Sequence, residues 1–98
     1  MTSVGVTPKA DDDILSIASF IAQDYSVSRA LQFIDNMRDG CAKHAIFPKR
    51  GRPRPEYGAR VRSFPVPPVV VFYSVASDES EVVVLRVIVG GRDLETIF

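Results

Sequence analysis

The sequence has few of the residues that build disulfides and metal sites. Its 98 residues include one cysteine (Cys41), one histidine (His44) and no tryptophan. A single cysteine cannot form a disulfide within the chain and is typical of proteins in a reducing compartment, so we expect a cytoplasmic protein. Structural zinc sites use about four Cys or His ligands, so we expect no metal and no cofactor.

Long apolar runs are also missing. No run approaches the ~20 residues that a transmembrane helix needs, and the first residues lack the basic and apolar regions of a secretory signal. Apolar residues make up 46% of the chain and charged residues 24%, which is typical of a globular protein. A chain of this length can build one modest core, so we predict a single domain over 1–98 and no membrane partner.

Charge is balanced overall but unevenly distributed. The net charge is zero, yet residues 43–62 contain seven of the twelve cations and a single acidic residue, Glu56. A local basic band on a neutral protein favours an oriented partner over general polyanion binding. The seven cations are Lys43, Lys49, Arg50, Arg52, Arg54, Arg60 and Arg62.

Two amphipathic helices are expected in the first half of the chain. Thr7 can cap a helix that Pro8 begins, since proline suits the first helical position. An apolar stripe at helical spacing then runs to about Asp24, and a second stripe, capped by Ser26 or Ser28, runs to about residue 45. The short connection between the stripes predicts an antiparallel helical hairpin.

The second half of the chain changes to strand-like patterns. After a weak strand candidate at 2–6 and a proline-rich loop at 48–58 without regular structure, we predict strands at 59–64, 69–75 and 82–89. Pro65 is expected to end the first of these. The order is therefore β-α-α-β-β-β, an α+β fold in two layers with the helical hairpin on one face of a mainly antiparallel sheet.

Arg86 interrupts the most apolar strand. Strict alternation places Val83, Leu85, Val87 and Val89 toward the helices and Arg86 on the opposite face. A charge at mid-strand requires a partner or an open face. Two interpretations follow: a salt bridge to an acid such as Glu81 or Asp93, or a contact with another molecule across a sheet that is covered on one side.

A conventional catalytic set is hard to assemble from these residues. His44 is isolated at a helix end, where a cation favours the helix dipole, and Cys41 lies on the apolar stripe of the second helix. Capping or solubility explains Asp11, Asp12 and Asp13 better than metal binding does. The arginines that remain can bind carboxylate or phosphate but cannot readily act as general bases.

Five segments together resemble the RelE/ParE toxin superfamily of type II toxin–antitoxin modules, and within it the ParE branch. The resemblance extends over nearly the whole chain, and it depends on the order and spacing of its segments. These are the V-x-x-x-A-x-x-D-[IL]-x-x-I pattern from Val6 to Ile17, then Gly51 to Pro53, R-S-F-P from Arg62 to Pro65, V-V-F-Y from Val70 to Tyr73, and V-L-R-V-x-x-G-x-R-D from Val84 to Asp93.

The superfamily contains two activities. RelE-type members resemble small ribonucleases that cut mRNA on the ribosome, whereas ParE-type members act on DNA gyrase. Arg60, Arg62 and Arg92 match basic positions of the ribonucleases, but the next basic position falls near Val70 and the C-terminal tyrosine falls at Phe98. Cleavage needs a proton acceptor and a donor, so the resemblance implies a non-enzymatic gyrase inhibitor, with the RelE-like endoribonuclease as the alternative and an inactive relic as a third interpretation.

The resemblance also implies the partners and their contact residues. A ParD-like antitoxin would neutralise the toxin in a hetero-oligomer, and its acidic residues would meet Arg60, Arg62 and Arg86. Arg92, Ile97 and Phe98, which follow the last strand, are expected to contact DNA gyrase. No sequence-specific nucleic-acid binding is expected.

Overall fold

Two α-helices and five strands are found in residues 3–90, the part of the chain that the computed structural model describes. The helices are α1 (Pro8–Asp24) and α2 (Val27–Ile46). The strands are β1 (Ser3–Val6), β2 (Arg52–Pro53), β3 (Val61–Val66), β4 (Val69–Val75) and β5 (Glu81–Val89). This order confirms the α+β architecture.

The helices begin where the capping residues predict. The Thr7 hydroxyl accepts a hydrogen bond from the Ala10 N–H at 3.0 Å and donates one to the Leu85 carbonyl at 2.9 Å. Ser26, rather than Ser28, caps α2 by accepting from the Arg29 N–H at 3.1 Å. Each cap satisfies a donor that the first helical turn leaves unpaired. Thr7 also fixes the start of α1 against β5.

The strands form one sheet in the order β1-β5-β4-β3-β2. β1 pairs with β5 in parallel, and the other neighbours are antiparallel. Apolar side chains of both helices pack against the central strands, and Val71 and Tyr73 of β4 are fully buried in that cluster. The helical hairpin therefore covers one face of the sheet, as predicted.

Two predictions for the proline-rich region are wrong. Residues 48–58 contain two single-turn 3-10 helices, Pro48–Arg50 and Pro55–Tyr57, with β2 between them. Pro65 lies within β3 rather than ending it. β2 pairs with Ser63 and Arg62 and extends no further, so β3 is an edge strand at Pro65, where a missing N–H is tolerated.

The predicted face of β5 is wrong before the bulge and confirmed at Val87. Val82 and Val84 face the helices in place of Val83 and Leu85, whereas Val87 faces them as predicted. The register slips where Phe72 pairs with Arg86 and Tyr73 with Val84, which leaves Leu85 as the extra residue of a β-bulge. A bulge inserts one residue and reverses the alternation beyond it.

The far face of the sheet is partly covered, contrary to expectation. Phe72 alternates with Val71 and Tyr73 and so points away from the helices, yet its exposed fraction is 0%. The Tyr57 ring meets it edge-on at 5.8 Å, and the Arg54 guanidinium lies 5.5 Å from its ring centre. The segment after β2 therefore folds over this face.

Candidate interaction surface

Arg86 forms an internal ion pair with Asp13 of α1. Its Nε donates to Asp13 Oδ2 at 2.7 Å and its Nη2 to Oδ1 at 3.0 Å, and the side chains are 18% and 17% exposed. The Val87 N–H also donates to Asp13 Oδ2, at 3.0 Å. The hydrogen bond to Asp13 raises the pKa of Arg86 further above its usual value. Among the described residues the partner is Asp13 rather than Glu81, and Asp93 lies outside them.

Arg60 and Arg62 have different surroundings. Arg60 precedes β3, is exposed, and makes no side-chain hydrogen bond or ion pair with residues 3–90. Arg62 is half-buried, and its Nη1 donates to the Lys49 carbonyl at 2.9 Å and to the Gly51 carbonyl at 2.8 Å. Arg60 is thus available for a partner, whereas Arg62 holds the preceding loop in place.

Tyr73 fixes the same loop from the core. Its hydroxyl donates to the Pro48 carbonyl at 2.8 Å and accepts from the Gly51 N–H at 3.0 Å. Burial raises the pKa of Tyr73, while the Gly51 hydrogen bond and the charge of Arg62 oppose that rise. We call residues 46–53 the clasped loop, because Tyr73 and Arg62 together hold its backbone at Pro48, Lys49 and Gly51.

The clasp leaves no room for a side chain at Gly51. A Cβ there would collide with the Tyr73 hydroxyl and would lie 2.9 Å from the Ser63 carbonyl oxygen. Gly51 is therefore required by the close approach of backbone to Tyr73. The R-S-F-P and V-V-F-Y segments supply Arg62 and Tyr73. Two of the segments that carry the family resemblance therefore build one local structure.

His44 and Cys41 have structural surroundings. The His44 ring stacks on Phe64 with centroids 3.9 Å apart, and its Nδ1 is 2.8 Å from the Gly40 carbonyl oxygen. Cys41 packs against the core, and burial raises the pKa of its thiol. A raised pKa lowers the thiolate fraction at neutral pH, so Cys41 is a poor nucleophile.

A shallow basic cavity of about 270 Å³ lies beside the clasped loop. Lys49, Arg60 and Arg62 line it together with small and apolar side chains of the 75–77 segment. A second cavity, which Arg60 also lines, includes Ser74 and Glu81. Arg60 thus borders a surface that suits an anionic group.

Sequence reasoning missed the structural partner of Arg86 and the role of Tyr73. Asp13 and Arg86 each occupy a fixed position in a segment that carries the family resemblance. The presence of opposite charges at two such positions could have suggested the pair. Arg92, Ile97 and Phe98 lie outside the described residues. Within residues 3–90 no His, Cys, Asp and Glu side chains group as metal ligands, and neither helix is long and apolar enough to cross a membrane.

Comparison with known proteins agrees with this architecture. The model of the family described as the ParE toxin of the type II toxin–antitoxin system parDE matches residues 4–94. The structure is similar to a chain of the chromosomal ParDE system from P. aeruginosa, with TM-score 0.74, 21% identity and coverage of 91% of this chain and 96% of that one.

A second similar structure comes from the RelBE2 toxin–antitoxin complex of Mycobacterium tuberculosis. It has TM-score 0.61 and 20% identity, and the match covers 90% of this chain and 96% of that one. At these identities the two likenesses establish the shared fold. No curated protein matches the sequence.

Proposed function

Since the chain belongs to the ParE toxin family of type II toxin–antitoxin systems, we propose that it inhibits DNA gyrase and is neutralised by a ParD-like antitoxin. The family match over residues 4–94 carries this proposal. The proposed target operates in the cytoplasm, so the proposal includes a cytoplasmic protein.

A non-enzymatic mechanism fits the chemistry around Arg60. Cleavage of RNA by its 2′-hydroxyl needs a group that takes a proton and one that returns it. The Tyr73 hydroxyl is buried and holds two backbone groups, and the His44 ring is stacked on Phe64. These two side chains are structural, and the cations around Arg60 bind an anion without moving a proton.

The alternative function is a RelE-like endoribonuclease. One observation favours it: Glu81 lines the same cavity as Arg60, and a carboxylate beside a phosphate-binding arginine could act as a general base. Glu81→Gln distinguishes the two functions. It would abolish mRNA cleavage by a ribonuclease but leave gyrase inhibition unchanged.

We propose that the antitoxin binds through acidic residues at Arg60 and Arg62. Arg60 is exposed and has no partner among residues 3–90, and Arg62 lines the same cavity. Asp13 already neutralises Arg86, the third residue of the predicted set. The contact of Arg86 with the antitoxin therefore stays a prediction, and we assign the electrostatic attraction to Arg60 and Arg62. Arg92, Ile97 and Phe98 are the proposed gyrase contacts.

Two assays in parallel test the function. Purified toxin is expected to inhibit gyrase supercoiling and accumulate cleaved DNA, and primer extension after induction is expected to show intact mRNA. Deleting residues 92–98 should abolish toxicity and affect antitoxin binding less. Codon-positioned mRNA cuts with normal supercoiling would overturn the proposal in favour of the ribonuclease, and the absence of both effects would indicate an inactive relic.

A further inference from the structure

The side chains of the clasped loop separate into two sets by direction. Pro48 and Gly51 are buried and face Tyr73, whereas the residues around them are exposed. Ile46 and Phe47 expose 69% and 64% of their surface. The exposed cations of the loop are Lys49, Arg50 and Arg52.

The clasped loop combines a fixed backbone with exposed apolar side chains. Four hydrogen bonds with the side chains of Tyr73 and Arg62 fix its backbone, although the side chains it presents include two large apolar groups in water. Exposed apolar side chains contribute little to folding stability, and rigid presentation reduces the entropy lost when a partner binds. The clasp therefore has the construction of a preorganised binding element.

We propose that the outward face of the clasped loop is a second contact with the toxin's protein target, through Phe47 and Ile46 in an apolar pocket that carboxylates border. This inference depends on the proposed function for the identity of that target. Lys49 forms an ion pair with Glu79 at 3.7 Å, so the acidic rim is specified by charge complementarity with the exposed Arg50 and Arg52 beside the two apolar residues.

A folded target fits this face better than the antitoxin tail. An extended tail that orders on binding lies along the surface of its partner, and the basic cavity at Arg60 suits the acidic side chains of such a tail. Ile46 and Phe47 instead project from the end of α2 with about two-thirds of their surface in water. Projecting aromatic side chains that enter a pocket are frequent hot spots of interfaces between folded proteins.

Phe47→Ala with Phe20→Ala as its control tests the inference. Phe20 lies on α1 and is 56% exposed, so the two variants remove the same group from similarly exposed positions. We expect Phe47→Ala to raise the toxin concentration for half-inhibition of supercoiling by roughly tenfold or more, as for a hot-spot residue. Phe20→Ala should behave as wild type, and both should keep the melting temperature and the antitoxin affinity.

Arg50→Glu tests the charge complementarity. It should weaken gyrase inhibition more at low salt than at high salt, because screening shortens the range of charge interactions. Wild-type inhibition by Phe47→Ala, or equal loss in Phe20→Ala, would overturn the inference. If Phe47→Ala lost antitoxin affinity and kept gyrase inhibition, the loop would contact the antitoxin and the inference would be overturned. It would also be overturned if the wild type bound naked DNA and Arg50→Glu abolished that binding, because the loop would then contact nucleic acid.

Failure of the proposed function gives a different result. If wild-type toxin leaves gyrase unaffected but arrests growth, the target is a different molecule, and the inference requires that Phe47→Ala still relieves the arrest while Phe20→Ala does not. Arrest by both variants would then overturn the inference. A wild-type protein that neither inhibits gyrase nor arrests growth would overturn the function and the inference together.

Discussion

Arg86 and Arg62 look alike in the sequence, as cations on strands, but they belong to regions of different construction. At the junction of α1 and β5, Arg86 meets a carboxylate, so its charge is neutralised within the fold. At the clasp, Arg62 donates to two neutral carbonyls, and no carboxylate in residues 3–90 forms an ion pair with it. Hydrogen bonding thus fixes Arg62 without cancelling its charge.

The difference separates structural cations from cations that shape the surface potential. A neutralised pair exerts a weak field at a distance, whereas an arginine held by carbonyls still attracts anions. Arg62 can therefore position the clasped loop and attract an acidic partner at once. The predictions below test this comparison, beginning with the largest expected effect.

Asp13→Ala should damage the α1–β5 junction most. It removes the partner of the Arg86 guanidinium and the acceptor of the Val87 N–H. Breaking a buried pair by removing one member costs about 3–5 kcal/mol, and we expect a loss of about 3 kcal/mol because part of each side chain is exposed. Urea unfolding measures it, with Asp12→Ala as the control. Equal losses in the two variants would show that Asp13 is not special.

Gly51→Ala should be the most disruptive small change at the clasp. The added Cβ would overlap the Tyr73 hydroxyl and crowd the Ser63 carbonyl, and overpacking of a tight site costs about 1–3 kcal/mol. Gly5→Ala is the matched control, because its Cβ would meet Val83 Cγ2 at an ordinary 3.8 Å. Stability of Gly51→Ala within about 0.5 kcal/mol of wild type, the usual range for neutral surface changes, would contradict the clasp geometry.

Tyr73→Phe should remove the hydroxyl and leave the Gly51 N–H and the Pro48 carbonyl without their partner. Unsatisfied buried groups cost about 1–3 kcal/mol, so we expect a loss of about 2 kcal/mol at pH 7. Because burial raises the pKa of Tyr73, its contribution is complete below the unfolded pKa of about 10. It is lost as pH rises through the higher native pKa.

The pH dependence supplies a second measurement of the same contact. Wild-type stability should fall more steeply above pH 10 than that of Tyr73→Phe, in unfolding experiments followed by circular dichroism. Tyr25→Phe, which removes an exposed phenol, should keep the wild-type slope. Parallel curves for wild type and Tyr73→Phe would show that the phenol titrates alike in the native and unfolded states.

The sequence predicts both helices and the longer strands because their signals are local. Thr7 and Pro8 define the start of α1, and the β-branched run of 69–75 defines β4. The bulge at Leu85 could not be predicted, since it depends on how two strands pair, and for that reason the predicted alternation is correct at Val87 but wrong at Val82 and Val84. Asp13 and Arg86 lie 73 residues apart, a separation that no periodicity connects.

Arg60→Ala and Arg62→Ala should distinguish a residue that only contacts the antitoxin from one that also positions the clasped loop. Of the variants discussed, these two should change stability least. Arg60→Ala should leave stability unchanged, because its side chain has no partner in residues 3–90. Arg62→Ala should cost about 1 kcal/mol, since it loses two hydrogen bonds at a half-buried site. Each should lower antitoxin affinity, and the loss should shrink as salt rises, because each removes a charge from the same cavity.

Arg62→Lys keeps the charge and loses the planar geometry that reaches both carbonyls, so it should recover more affinity than stability. Isothermal titration at two salt concentrations, beside urea unfolding, measures the two quantities. If Arg62→Lys restored stability and not affinity, Arg62 would contact the antitoxin through the geometry of its guanidinium rather than through its charge. The contrast between Arg62, which keeps its charge, and Arg86, which Asp13 neutralises, would then be wrong.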